Sequence, residues 1–508
     1  MKKCIELTDC KISLDEFMQI VNKEAAISFS EEMVMKIKKS RKMINDFLAE
    51  NRPIYGVTTG FGENVRYAIS PDDAITLQKN IVRSHSVSVG EPLSETNVRA
   101  IMLMQILNVG KGYSGIKLDT ISLIKDFLNN DIYPFAPGNG SVGYLSVEGH
   151  ITLTYMGEGY IFYKGEKKEA TYVLKQIGLK PVEFACKEGL SLLNGSTSVT
   201  GLGLVAVYEM KKALDNLEVC GAMVFEALQG TVKCLDERLH IVKNHEEQLN
   251  TAIKIARMLK TSEICEKYKE SRVQDPYVLR CMVQILGAAR KLVKEAEEVI
   301  VDEMHGVSDN PELFEDSNGG VALMSGNFDG SYVGSHADML GMAAAMVGNL
   351  AERCIDRMVN RYLNNGLPAF LAPNPGLNNG FMIPQYTAAG LLNEIKILAT
   401  SCSIDSIPTC AEQESPVSFA YFASKKAIEI AEKLDYIIAI EYMTAAQAIE
   451  LQKPLKPSSV TETVCSKIRE KVDFAENDRY FYPDIENLFY MVKSQELVDC
   501  ARNQKMSQ

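Results

Sequence analysis

The 508 residues are 46% hydrophobic and 24% charged, a balance that excludes a disordered scaffold and allows one large domain or about three ordinary ones. With 54 Lys plus Arg against 66 Asp plus Glu the net charge is −12, which argues against nucleic acid as a partner and favours a small neutral or cationic one. Met1-Lys2-Lys3-Cys4 runs into charged sequence with no apolar signal core, and the apolar stretch around Leu340 to Leu350 is too short for a bilayer, so a cytoplasmic protein without membrane contact is expected.

Up to residue 200 the pattern is broken. Glycine-rich segments at Tyr55 to Gly62, Lys111 to Gly115, Pro137 to Gly143 and Gly157 to Gly159 interrupt short helices, and loops of this kind carry many sites. In Tyr55-Gly-Val-Thr-Thr-Gly-Phe-Gly62 the glycines permit turns that present one tyrosine and two threonine hydroxyls; a tight turn around a packed aromatic is the commoner use of such a segment. Leu77-Gln-Lys-Asn-Ile-Val-Arg-Ser-His85 has helical spacing that turns Leu77, Ile81 and Val82 inward. It sets His85 one turn beyond Ile81, where a histidine is more often a hydrogen-bonded core residue than a catalyst. Lys187-Glu-Gly-Leu-Ser-Leu-Leu-Asn-Gly195 ends in Asn194-Gly195, by itself a turn.

From about residue 200 helical periodicity takes over. Leu202 to Leu228 and Phe419 to Leu451 are proline-free with apolar residues recurring at three and four. His336 to Leu363 sets Leu340, Val347, Leu350, Cys354, Ile355 and Met358 near one face, with Glu352, Arg353, Asp356 and Arg357 largely elsewhere. A bundle of long helices follows, with a soft boundary near residue 200 and neither repeat nor flexible linker. Gln274-Asp-Pro-Tyr-Val-Leu-Arg280-Cys281 puts a tyrosine and an arginine three apart on one helix face, where the guanidinium serves a carboxylate clamp or a structural ion pair. Leu371 to Gly380 is a proline- and glycine-rich interruption, and Glu412-Gln-Glu414 brings two carboxylates together just before Ser415-Pro416, as an exposed loop also would. The 12 cysteines are scattered without a C-x-x-C pair, and His240 with His245 is the one close pair among six histidines, so no metal site is expected.

Read together and in order, Tyr55-Gly-Val-Thr-Thr-Gly-Phe-Gly62, Ser84-His85 with Val89-Gly-Glu-Pro-Leu93, Lys111-Gly-Tyr-Ser-Gly115, Gly140-Ser-Val-Gly143, Leu192-Leu-Asn-Gly195, Gln274-Asp-Pro-Tyr277 with Arg280-Cys281, Gly326-Asn-Phe328, Ala372-Pro-Asn-Pro-Gly-Leu-Asn378 and Asp405-Ser-Ile-Pro-Thr409 resemble the histidine and aromatic amino-acid ammonia-lyase family. The resemblance implies a mainly α fold, with residues 1–200 as a loop-rich part carrying the base loop and residues 201–508 as a long-helix bundle completing the active site. It also implies a homotetramer with each site assembled from several subunits. Tyr55 would be the base on a mobile loop and Arg280 the carboxylate clamp. Asn194 and Tyr277 would line the reacting centre, His85 and Glu414 would face the substrate ring, and Phe328 and Gln385 would complete the substrate site.

One departure is decisive for the chemistry. Ammonia-releasing members of the family carry Gly-Ser-Val-Gly-Ala-Ser-Gly, whose Ala-Ser-Gly cyclises into the electrophilic methylidene-imidazolone. Here the stretch reads Gly140-Ser-Val-Gly-Tyr144-Leu-Ser-Val-Glu-Gly-His150, and Ala-Ser-Gly occurs nowhere in the chain. The prosthetic group is therefore expected to be absent. Expelling ammonia next to a weakly acidic β-carbon needs such activation. A quaternary trimethylammonium leaves as a neutral amine, and its nitrogen has no lone pair with which to attack an electrophile.

In this the chain resembles the branch of the family that lacks the electrophile, and that resemblance implies a prosthetic-group-independent carbon–nitrogen lyase that eliminates trimethylamine from a histidine-derived betaine, converting ergothioneine to thiourocanate or acting on hercynine. Tyr144 would offer its ring to the trimethylammonium, or merely fill the vacated space. Asp329, where histidine-processing relatives carry histidine, and Glu412, in place of asparagine, add acidity that suits a cation; neutral Gln385 leaves a sulfur-free betaine open. Two other readings remain: an ammonia-lyase or aminomutase without the prosthetic group, and a non-catalytic protein that binds a betaine or amino acid.

Overall fold

The computed structural model describes residues 2–317 and 319–506. It is mainly helical, and the long helices fall close to where the periodicity sets them: Thr197–Ala227, Ser331–Val359 and Ala420–Glu450. Packing groups the chain into two compact units, one of Met1–Ala206, Glu297–Asp338 and Ser401–Lys425, the other of Val207–Ala296, Met339–Thr400 and Lys426–Gln508. The single soft boundary near residue 200 thus becomes a discontinuous division. Its cause is the length of the helices: these three, and Met282–His305, each contribute residues to both units.

In the first unit short sheets frame the helices. Lys3–Leu7 pairs in parallel with Ala25–Phe29, Val89–Pro92 antiparallel with Pro137–Asn139, and Glu312–Phe314 antiparallel with Val321–Leu323, while Tyr160–Tyr163 lies between Tyr133–Pro134 and Glu166–Glu169. The helix Pro71–His85 starts at a Ser70 cap whose hydroxyl accepts the Asp73 N–H at 3.2 Å, with proline in its first turn. Its buried stripe is Ala74, Gln78, Ile81 and Val82. Leu77, expected inward, is only half-buried, because the 100° step per residue gives the inner face to position 78. The helix Ser146–Tyr155 passes so close to this helix's end that a Cβ on Gly149 would stand 2.9 Å from the His85 carbonyl carbon. His85 is thereby set beside the segment that departs from the family.

Among the described residues every strand belongs to the first unit. In the second unit, Leu340, Val347, Leu350, Cys354, Ile355 and Met358 are all buried along one helix face. Glu352 is buried too, contrary to its expected place on the polar side, and its carboxylate accepts the Gln385 amide at 2.6 Å. The segment Glu188–Ala227 is long and apolar enough to cross a membrane, and its most apolar window is 100% buried within the protein, as in the core helix of a globular fold.

Candidate active site

Tyr55 follows the helix Glu31–Ala49 in a segment that folds back on itself through Gly60 N–H to Tyr67 and Ile69 N–H to Thr58 backbone bonds. Its half-buried hydroxyl accepts the Gly62 N–H at 2.9 Å, and its ring meets Phe61 edge-on at 6.3 Å. Burial lifts the phenol above its ordinary pKa; the Gly62 N–H opposes this, and the Glu414 carboxylate and Cys410 thiol add to it.

Glu414 stands across from this loop on its own turn. Thr409 and Glu414 exchange two backbone hydrogen bonds, of 3.0 and 3.3 Å, and the Thr409 hydroxyl donates to Glu414 Oε2 at 3.2 Å. Between them Cys410, Ala411 and Glu412 have φ of 51°, 53° and 66°. Three consecutive non-glycine residues in the left-handed region cost on the order of 1–2 kcal/mol each, strain that clusters at functional segments. Glu412 is exposed at the tip.

His85 is half-buried with Nδ1 3.0 Å from the Ser84 hydroxyl. Burial lowers its pKa, against opposing contributions from the Ile81 backbone and Glu414, which favours the neutral ring. Tyr144 is buried, and its ring meets Phe328 edge-on at 5.4 Å and 72°. Burial raises its phenol well above the ordinary value, and Glu414, Asp329, Cys410 and Tyr55 push the same way. Glu414 acts on Tyr55, His85 and Tyr144 alike, so these four side chains share one electrostatic centre, flanked by Phe328 and Asp329.

Directly after Tyr144, Leu145 adopts φ 78° and ψ −58°, and the helix Ser146–Tyr155 begins. The Leu145 N–H donates to the Leu193 carbonyl at 3.2 Å, which sets this segment against Asn194. Asn194 closes the helix Glu188–Leu193, is buried, and donates from Nδ2 to the Asn310 carbonyl at 3.3 Å.

Tyr277, Arg280 and Gln385 belong to the second unit. Tyr277–Arg280 forms a single helical turn, and the expected shared face is present: the guanidinium lies over the tyrosine ring at 4.4 Å. Tyr277 is exposed, and among the described residues the buried Arg280 Nε has no hydrogen-bond partner. A guanidinium stacked on a ring with donors to spare suits a carboxylate. Gln385 is engaged by Glu352, as above. Sequence reading gave no role to Thr409 or to the Gly62 N–H; the hydroxyl five residues before Glu414 was the available signal for the first, and a backbone donor has none.

Among the described residues no three His, Cys, Asp or Glu side chains converge as a metal site. Residues 12–470 match the family described as aromatic amino acid lyase. Histidine ammonia-lyase 2 of Fusobacterium nucleatum is 36% identical over 497 residues, covering 97% of each chain. Among solved structures, histidine ammonia-lyase from Trypanosoma cruzi superposes with a TM-score of 0.92 at 33% identity, covering 99% of this chain and 95% of that one. The ergothioneine-degrading enzyme ergothionase from Treponema denticola, in complex with desmethyl-ergothioneine sulfonic acid, superposes with a TM-score of 0.91 at 26% identity, covering 97% and 99%.

Proposed function

The chain belongs to the aromatic amino acid lyase family, and we propose that within it the protein eliminates trimethylamine from a histidine-derived betaine, ergothioneine or hercynine. Carbon–nitrogen lyase chemistry is what the family supplies; the leaving group is decided by this chain's own residues. The observation that carries the reading is Tyr144: where the electrophile-forming tripeptide would stand, an aromatic ring packs on Phe328 within reach of Tyr55 and the Glu414 and Asp329 carboxylates. The segment Gly143-Tyr-Leu-Ser146 does not fit the methylidene-imidazolone, which needs Ala-Ser-Gly, so no step is routed through that group. Ergothionase acts on such a betaine, which supports the reading. The higher identity of relatives named histidine ammonia-lyase favours a second one, release of ammonia from histidine.

In the proposed reaction ionised Tyr55 takes the β-proton. The C–H electron pair becomes the Cα–Cβ double bond, and the Cα–N pair departs on neutral trimethylamine. Neutral His85 and Glu414 hydrogen-bond the ring and disperse charge that develops there, while Arg280 fixes the carboxylate and with it the alignment of proton and leaving group. The Tyr144 face and the surrounding carboxylates hold the cation before it is lost, an interaction that lowers KM more than it raises kcat. The cationic substrate also draws the raised Tyr55 pKa down, because a positive charge favours the phenolate. The homotetramer with shared sites and the cytoplasmic location are taken over with this reading.

Purified protein given hercynine or ergothioneine tests it, with product followed by the absorbance of a conjugated urocanate-type acid. Chromophore from a betaine that is lost in Tyr55→Phe is expected. Product from histidine at a comparable rate overturns the reading.

A further inference from the structure

The helix that ends in His85 carries a fully buried glutamine, Gln78, in the middle of its apolar stripe. A carboxamide there is costly unless both of its ends are satisfied. Both are satisfied, and by two different parts of the candidate site. Nε2 donates to the Gly56 carbonyl at 2.9 Å, the peptide next to Tyr55, and Oε1 accepts the Leu190 N–H at 3.0 Å, inside the short buried helix that Asn194 closes.

The fit around this bridge is tight. A Cβ on Gly189 would stand 2.6 Å from the Gln78 carbonyl oxygen, and one on Gly56, at φ 65°, would stand 2.5 Å from Leu190 Cδ2. The short helix is held at its other end as well. Lys187, with no exposed surface, donates to Asp309 at 2.5 Å and to the Ser191 hydroxyl at 2.8 Å. Asp309 Oδ1 accepts the Asn310 N–H at 2.7 Å, and Asn310 in turn accepts from Asn194.

We propose that Gln78 is a positioning residue: its carboxamide pins the Tyr55 loop and the Asn194 helix in one register, two turns along the same helix from His85. The inference rests on the lyase reading of this site with Tyr55 as base. A misplacement of about 1 Å at a reacting centre costs on the order of 100-fold in rate, so loss of the bridge is read in kcat rather than in fold.

Two variants test it, by steady-state kinetics across about pH 6 to 9 and by hydrogen exchange of the Tyr55–Gly62 segment. Gln78→Met keeps the volume and removes both hydrogen bonds. It is expected to lower kcat about 10- to 100-fold with KM changed less than about threefold, and to speed exchange over Tyr55–Gly62 while the Ala420–Glu450 helix is unchanged. Gln78→Glu accepts from Leu190 in either state but donates to Gly56 only when protonated, so its kcat relative to wild type is expected to rise as pH falls. A purely structural amide predicts no such pH-dependent rescue. Wild-type kcat in Gln78→Met with unchanged exchange, or a flat pH ratio in Gln78→Glu, overturns the proposal. If Gln78→Met does not fold, the Gln78→Glu ratio decides. If wild-type protein turns over no betaine or histidine, the lyase reading fails separately, and unchanged exchange in the variants overturns the positioning role by itself.

Discussion

Tyr144 is the residue on which the leaving-group reading turns, and replacing it by leucine separates charge recognition from filling of space. The ring is 7% exposed and held edge-on by Phe328 at 5.4 Å, so a cation on its free face is largely desolvated. Such a contact is worth about 1–2 kcal/mol, equivalent to roughly 5- to 30-fold in dissociation constant. Tyr144→Leu keeps apolar bulk and removes the ring; it should raise KM for the betaine by about that factor with little change in kcat, because the cation is bound before it is lost. Tyr144→Phe keeps the face and should stay within about twofold of wild type. The control is an inhibitor in which a neutral tert-butyl group replaces trimethylammonium, measured with thermal unfolding to verify the fold. Its inhibition constant should be the same in wild type and Tyr144→Leu. Equal losses for the cation and the neutral isostere would show that the ring only packs, and an unchanged KM would remove Tyr144 from recognition altogether.

Arg280→Lys keeps the charge but gives up the two-pronged geometry and the stack on Tyr277. It should cost about 2–3 kcal/mol, or roughly 30- to 150-fold in kcat/KM, and a small change would refute the clamp. Because burial raises the Tyr55 pKa above its ordinary value near 10, kcat/KM should keep climbing with pH above neutral; a plateau below about pH 8 would contradict Tyr55 as the free-enzyme base. Burial pushes Asp435 up to about 8, with Glu209 adding to the shift and Lys493 and Lys212 opposing it, and pushes Glu441 up to about 8. Both carboxyls hold their protons in the folded chain and lose them near pH 4 to 4.5 when it unfolds. The stability they contribute is complete below that range and is lost as pH rises to about 8. The urea midpoint should therefore fall between about pH 5 and 8, and Asp435→Asn should flatten part of that slope.

What the sequence made legible follows from periodicity and from wording. The three long helices run close to their apolar patterns because thirty residues of 3.6-fold repeat average out any single deviation. Single positions are where the pattern misled. Leu77 was expected inward with Ile81 and Val82 from helical spacing, yet Gln78 takes that place, and its amide is satisfied there by Gly56 and Leu190. Glu352 was set on the polar face, yet it is buried because the Arg353 guanidinium and the Gln385 amide satisfy its two oxygens. Tyr55, His85 and Glu414 are far apart in sequence, and only the resemblance joined them; their shared electrostatics comes from the Glu414 carboxylate, which the turn Thr409–Glu414 holds, and spacing does not reveal that. The discontinuous division of the chain was equally hidden, since a helix long enough to serve two units looks in sequence like any other.

The central claim is the identity of the leaving group, and the most direct measurement quantifies trimethylamine and ammonia released when wild-type protein is incubated separately with ergothioneine, hercynine and histidine. The account predicts stoichiometric trimethylamine from a betaine, with a conjugated acid formed in equal amount, and no ammonia from histidine. Ammonia from histidine with no trimethylamine from either betaine would contradict it, returning Tyr144 to a space-filling role.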